Sequence, residues 1–175
     1  MGWPVIVRTT SPEATQDAAS RLARICASGD VILLVGDLGA GKTAFAQGFA
    51  SALGVEGPVT SPTFALVRQY RCAVGATVDT LIHADVYRTG SVGEVAELAL
   101  AELVEERAIA LIEWGDMAAP ALGPDVLEVT LELSDDGTPQ LAQCRTLSIV
   151  GRGSWCGREA EVEHALASLP PRTAP

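Results

Sequence analysis

Two apolar patterns alternate along this chain: short unbroken runs, and stripes that return every three or four residues. Val5-Ile6-Val7 predicts a short strand. Thr10-Ser11-Pro12-Glu13 then predicts a helix start, with a hydroxyl cap, proline in the first turn and Glu13 placed to close a capping box. Ala14, Ala18, Leu22, Ile25 and Cys26 follow at helical spacing, and Gly29 ends that helix. Val31-Ile32-Leu33-Leu34-Val35 is apolar throughout and rich in β-branched residues, the pattern of a strand buried on both faces. Phe45, Phe49 and Leu53 then mark one face of a second helix, which closes at Gly54. Phe64 to Tyr70 and Leu81 to Asp85 predict two strands joined by a turn over 71–77, and so short a connection pairs them antiparallel, making the sheet mixed. Val92, Val95, Ala96, Ala99, Leu100 and Leu103 form a helical face opposite Glu94, Glu97, Glu102 and Glu105, which read as a solvated acidic face or a partner surface. Ala108 to Ile112 is a second wholly apolar strand. Leu127, Val129, Leu131 and Leu133 alternate with Glu128, Thr130 and Glu132, a strand wet on one side and therefore expected near a sheet edge. Asp135-Asp136-Gly137 is the turn to a partner strand from Arg145 to Val150, and 154–169 predicts one more helix.

Composition narrows the class. The chain has 175 residues without a linker-like interruption before its C-terminus, so residues 1–169 are expected to form one domain and residues 170–175 a disordered tail. Apolar residues make up 48% and charged residues 19%, enough to fill a core and still leave an apolar face for a partner. No apolar run approaches a membrane span, and the first residues carry no leader or myristoylation pattern, so a soluble cytoplasmic protein is expected. Cys26, Cys72, Cys144 and Cys156 are widely spaced, which suggests buried thiols rather than a zinc site or disulfide framework. A net charge of −10 argues against unaided binding of DNA or RNA, because such affinity comes largely from phosphate neutralisation. Any service to a nucleic acid is expected to run through another protein.

One stretch carries the chemistry. Gly36-Asp37-Leu38-Gly39-Ala40-Gly41-Lys42-Thr43 fits G-x-x-x-x-G-K-[ST], between an apolar run and a helical stripe. Three glycines let the backbone curl so that successive N–H groups face phosphate oxygens, and the helix N-terminus adds its positive end. Lys42 is placed to reach the β- and γ-phosphates, and Thr43 to give its hydroxyl to Mg²⁺. Lys42 is also the only lysine in the chain, standing where a compact ammonium suits a polyphosphate better than a guanidinium does. Such a loop needs a carboxylate at the C-terminal end of a neighbouring strand, where the ligand crevice lies. Glu113, directly after five apolar residues, is the candidate metal ligand. Asp85 is the second acid, polarising the attacking water or holding the metal through water. Thr60, Ser61 and Thr63 could sense the γ-phosphate, Tyr87, Arg88 and Trp114 fall near the site mouth, and His83 reads as a core histidine satisfied by a hydrogen bond.

GDLGAGKT, SPTF, HADVYR and IEWGD, in this order and at these distances, closely resemble the bacterial tRNA threonylcarbamoyladenosine biosynthesis ATPase family, TsaE (older name YjeE), from about Ser11 to about Leu133. The resemblance implies a three-layer α/β P-loop NTPase fold around a central mixed β-sheet. It also implies ATP and Mg²⁺ as cofactors, slow ATP hydrolysis in isolation, and work with the TsaB and TsaD proteins on tRNA. Carried over by position, Gly36 to Thr43 bind the nucleotide, Thr43 and Glu113 the metal, Asp85 is the second essential acid, Thr63 belongs to a switch loop, and Trp114 adjoins the metal-binding glutamate. Thr9 to Ser11 would lie by the adenine. One departure is Ala99 after Glu97-Leu98, where the family usually has glycine. The chain beyond Val150 has no clear counterpart in it. Among rival readings, a regulatory GTPase would need N-K-x-D and D-x-x-G, and the chain has no asparagine and no D-x-x-G. A small-molecule kinase would need an acceptor pocket and an arginine-bearing lid, and a nucleotide-ordered adaptor would bind without turnover.

Overall fold

The structure is a computed structural model that describes residues 4–62, 66–76, 78–87, 107–133 and 143–169. In chain order the elements are β1 (Pro4–Thr9), α1 (Pro12–Ile25), β2 (Val31–Val35), α2 (Lys42–Ala52), β3 (Val67–Arg71), β4 (Thr80–Asp85) and β5 (Ala108–Glu113), then α3 (Gly115–Leu122), β6 (Leu127–Leu133), β7 (Arg145–Gly151), a 3-10 helix (Gly153–Gly157) and α4 (Glu159–Leu166). The acidic helical stripe over 92–105, Arg88, the turn at 135–137 and the tail at 170–175 lie outside the described residues.

Seven strands form one sheet in the order β1-β7-β6-β2-β5-β4-β3. Its centre, β6-β2-β5-β4, is parallel, and its flanks are antiparallel, including the β3–β4 pair anticipated from their short connection. The unbroken apolar runs of β2 and β5 follow from burial on both faces. Ile32, Leu34, Ile109 and Leu111 pack into one core with α1, α2 and α4, through residues such as Leu22, Phe45, Phe49 and Val162. Val31, Leu33, Ala110 and Ile112 join a smaller core on the opposite face with Ala119 and Leu122 of α3. The arrangement is the three-layer α/β fold that the family resemblance implies, around the mixed sheet that the short β3–β4 connection predicts.

Four details differ from the sequence expectation. The half-wet strand β6, expected near an edge, stands third from it, between β7 and β2. Its alternation is real, with Leu127, Val129 and Leu131 buried in the larger core, but β7 alternates in the same way, so half-burial belongs to the whole antiparallel flank rather than to its last strand. The C-terminal helix is broken: the 3-10 turn carries Trp155 into the core, and Arg158 folds back over its ring at 3.7 Å while gripping Asp30 at 2.9 Å. α1 is capped by Ser11, whose hydroxyl accepts from the Ala14 N–H at 3.2 Å, one residue later than a box closed by Glu13 requires. α3 is not anticipated, because eight residues containing a proline offer no helical stripe to read.

Candidate functional site

The parallel centre decides where the acids fall. Asp85 at the end of β4 stands directly opposite Glu113 at the end of β5, and Glu113 in turn stands opposite Leu34 of β2. Both carboxylates therefore reach the C-terminal edge of the sheet where β2 releases the glycine loop. Gly41, left-handed at φ 107°, is the N-cap of α2 and supplies no side-chain cap, so the first N–H groups of that helix face outward without a side-chain acceptor at the cap.

A cavity of about 470 Å³ opens at this edge. The loop and first turn of α2 contribute Leu38, Gly39, Gly41, Lys42 and Thr43, the segment after α2 contributes Ser61, and the ends of β4 and β5 contribute Asp85, Tyr87, Glu113 and Trp114. Residues far apart in sequence and expected to act together thus share one space. Gly36, Asp37 and Ala40 line instead a neighbouring recess of about 300 Å³ beside β6. Thr63 lies outside the described residues. Thr60 does not line the cavity; its hydroxyl accepts from Arg68 at 3.2 Å.

Lys42 is buried, at 5% exposure, and its ammonium donates to the Gly36 and Asp37 carbonyls at 2.6 and 2.9 Å. It also rests over the Trp114 ring, 3.8 Å from the centroid. Burial pulls its pKa below the ordinary lysine value, against the opposing pull of Glu113, Asp85, Asp37 and Asp116. Trp114 itself is left-handed at φ 61° and stacks with Tyr87 at 4.5 Å, so a non-glycine residue holds a costly backbone conformation at the cavity rim.

Each acid is oriented. The Ser61 hydroxyl donates to Asp85 at 2.7 Å and the Tyr87 N–H donates to its other oxygen at 3.0 Å. Glu113 lies 3.0 Å from the buried His83 ring. Hard oxygen donors from Thr43, Asp85 and Glu113 suit Mg²⁺, and the described residues hold no group of three or more His, Cys, Asp or Glu side chains able to form a closed cage.

Other residues are not recognisable from local sequence. His83 was expected to be a satisfied core histidine, and its partner is the candidate metal ligand. Arg145, at the start of β7, reaches the loop from behind, with Nη2 3.5 Å from the Gly39 carbonyl. Its cross-strand neighbour is Thr9, whose hydroxyl bonds Thr15 at 2.8 Å, while Ser11 caps α1. The signal for Arg145 exists only in the β1–β7 and β6–β7 pairing, not in any motif.

A family model described as threonylcarbamoyl adenosine biosynthesis protein TsaE matches residues 9–141. The tRNA threonylcarbamoyladenosine biosynthesis protein TsaE of Bacillus subtilis is 37% identical over 129 residues, which are 74% of this chain and 78% of that protein. The protein of the same name from Mycobacterium tuberculosis H37Rv is 42% identical over 125 residues, 69% of this chain and 74% of that one. The one from Streptomyces coelicolor is 32% identical over 149 residues, 84% and 97% of the two chains. Among solved structures, the crystal structure of Bacillus subtilis YdiB superposes with a TM-score of 0.75 at 29% identity, covering 95% of this chain and 97% of that one.

Proposed function

The chain belongs to the TsaE family of threonylcarbamoyl adenosine biosynthesis proteins, and on that premise we propose that it is a Mg²⁺-dependent ATPase serving threonylcarbamoyladenosine modification of tRNA with the TsaB and TsaD proteins. The observation that carries the reading is the convergence of Lys42, Thr43, Asp85 and Glu113 on one cavity at the C-terminal edge of the sheet. The backbone from Gly36 to Thr43 and the start of α2 cradle the phosphates. Lys42 exchanges the carbonyls of Gly36 and Asp37 for phosphate oxygens. Thr43 and Glu113 would hold Mg²⁺, which when bound neutralises charge on the β- and γ-oxygens. Asp85, held from two sides, orients the attacking water and receives its proton. Trp114 braces the lysine, and Thr63 senses the γ-phosphate.

Residues 1–169 act as a single ATPase domain followed by a short tail, and hydrolysis is slow alone and drives or resets the modification complex. tRNA is reached only through the partners, as a net charge of −10 favours, and DNA is not bound. No described helix is long and apolar enough to cross a membrane, and a cytoplasmic location goes with the proposed work on tRNA. The test is phosphate release from Mg²⁺–ATP by the purified chain, alone and with TsaB and TsaD. Slow release that rises with the partners and vanishes in Lys42→Ala is the expected result. Full activity in Lys42→Ala would count decisively against the site, binding without turnover would leave a nucleotide-ordered adaptor, and transfer to a small acceptor would make the protein a kinase.

A further inference from the structure

His83 has no place among the residues that touch a nucleotide, yet its position is costly. It sits two residues before Asp85 on β4, with no exposed surface, and Glu113 beside it is only 3% exposed. In the β4–β5 register His83 opposes Leu111 and Asp85 opposes Glu113, so His83 and Glu113 are diagonal neighbours on one face of the sheet. Nε2 lies 3.0 Å from Glu113 Oε1. A carboxylate only accepts, so Nε2 carries the proton. The other ring nitrogen, Nδ1, is buried with no hydrogen-bond partner among the described residues. An apolar residue would fill this place without stranding a polar atom, so packing does not account for an imidazole here. The bond to Glu113 does.

We propose that His83 is a positioning residue: by holding Oε1 it stops rotation of the Glu113 carboxylate and presents Oε2 for the divalent cation. The inference rests on the assignment of Glu113 to Mg²⁺. A partner that orients a ligating carboxylate in this way typically contributes about 10- to 100-fold in metal affinity.

The experiment compares the full chain with His83→Leu, His83→Gln and His83→Asn. Glutamine places an amide N–H where Nε2 lies, whereas the asparagine amide reaches only as far as Nδ1. Each protein is titrated with Mn²⁺ in the presence of a nonhydrolysable ATP analogue, and free Mn²⁺ is read by electron paramagnetic resonance. Analogue affinity without metal and the thermal midpoint are measured in parallel. Leu and Asn are expected to weaken Mn²⁺ by about tenfold or more, and Gln to stay within about threefold of wild type, with metal-free analogue affinity unchanged throughout. If His83→Leu does not fold, the Gln–Asn pair decides alone. Wild-type Mn²⁺ affinity in the Asn or Leu variant overturns the inference, as does a Gln variant as weak as Asn. If the wild-type chain takes up no Mn²⁺ with the analogue, the ATPase reading itself fails and this inference with it.

Discussion

Alanine at Gly36 and at Gly39 separates two demands that the phosphate loop makes on its glycines. At Gly39, φ is +82° and an added Cβ meets nothing within 4 Å, so the substitution costs only the left-handed backbone, about 1–2 kcal/mol. At Gly36, φ is +147°, and an added Cβ falls 2.4 Å from the Leu131 carbonyl oxygen and 3.1 Å from Ala40 Cβ. Leu131 stands in register with Leu147 inside the β6–β7 ladder, so its backbone is held in place on that side. The loop must move instead, adding an overpacking cost of about 1–3 kcal/mol, for a total of about 2–5 kcal/mol. It also carries with it the Gly36 carbonyl that holds Lys42 at 2.6 Å. Urea unfolding of the ligand-free chain reads the stability, and calorimetric titration with the Mg²⁺ complex of a nonhydrolysable ATP analogue reads the site. Gly36→Ala is expected to lose more stability than Gly39→Ala and to weaken the analogue by at least about tenfold, which is about 1.4 kcal/mol. Equal losses in the two variants would refute the role given to the Leu131 contact, and a Gly36→Ala protein that binds like wild type would refute the packed loop altogether.

Glu113→Ala should weaken Mg²⁺ dependence more than it weakens metal-free nucleotide binding, and a normal Mg²⁺ titration in that variant removes the assignment. The isolated chain should not retain tRNA in filter binding at physiological salt, and submicromolar retention contradicts the indirect route. The folded pKa of Lys42 lies below the unfolded value of 10.5, so between the two values the unfolded chain holds the extra proton and stability rises with pH. That contribution is fully present above 10.5 and is lost as pH falls through the folded value, so Lys42→Met should flatten this rise in chemical denaturation at alkaline pH, and an unchanged slope would refute the desolvated amine.

What is legible in the sequence is what local chemistry dictates. The glycine loop between β2 and α2, the two strands ending on acids, and the antiparallel return from β3 to β4 each follow from a run of neighbouring residues. Long-range pairing is not written this way. The alternation in β6 correctly reports one wet face, but which strands flank it depends on β7, whose partners are β1 and β6. Arg145 escapes notice for the same reason, since it reaches Gly39 across 106 positions of sequence. His83 is the sharper case: burial of a histidine on an apolar strand is predictable, but its partner is decided by the β4–β5 register, which places it diagonal to Glu113. α3 and the broken C-terminal helix fail to declare themselves because short segments carry too few turns for a stripe to emerge.

The crevice sets a puzzle of sign, since Glu113, Asp85, Asp37 and Asp116 surround one ammonium in a chain of net charge −10, and the proposed ligand is a polyanion. Near a protein surface a pair of unit charges about 4 Å apart interacts by about 4 kcal/mol, so two carboxylates facing a phosphate outweigh what one lysine returns. Loop N–H groups and the start of α2 recover part of this, but a divalent cation between carboxylate and phosphate reverses both repulsions at once. On the proposed reading the acids would make the site selective for the metal complex over free nucleotide. That selectivity survives only if the carboxylates keep their charge while being fixed in direction, which is what a serine hydroxyl, a backbone N–H and the imidazole Nε2–H supply.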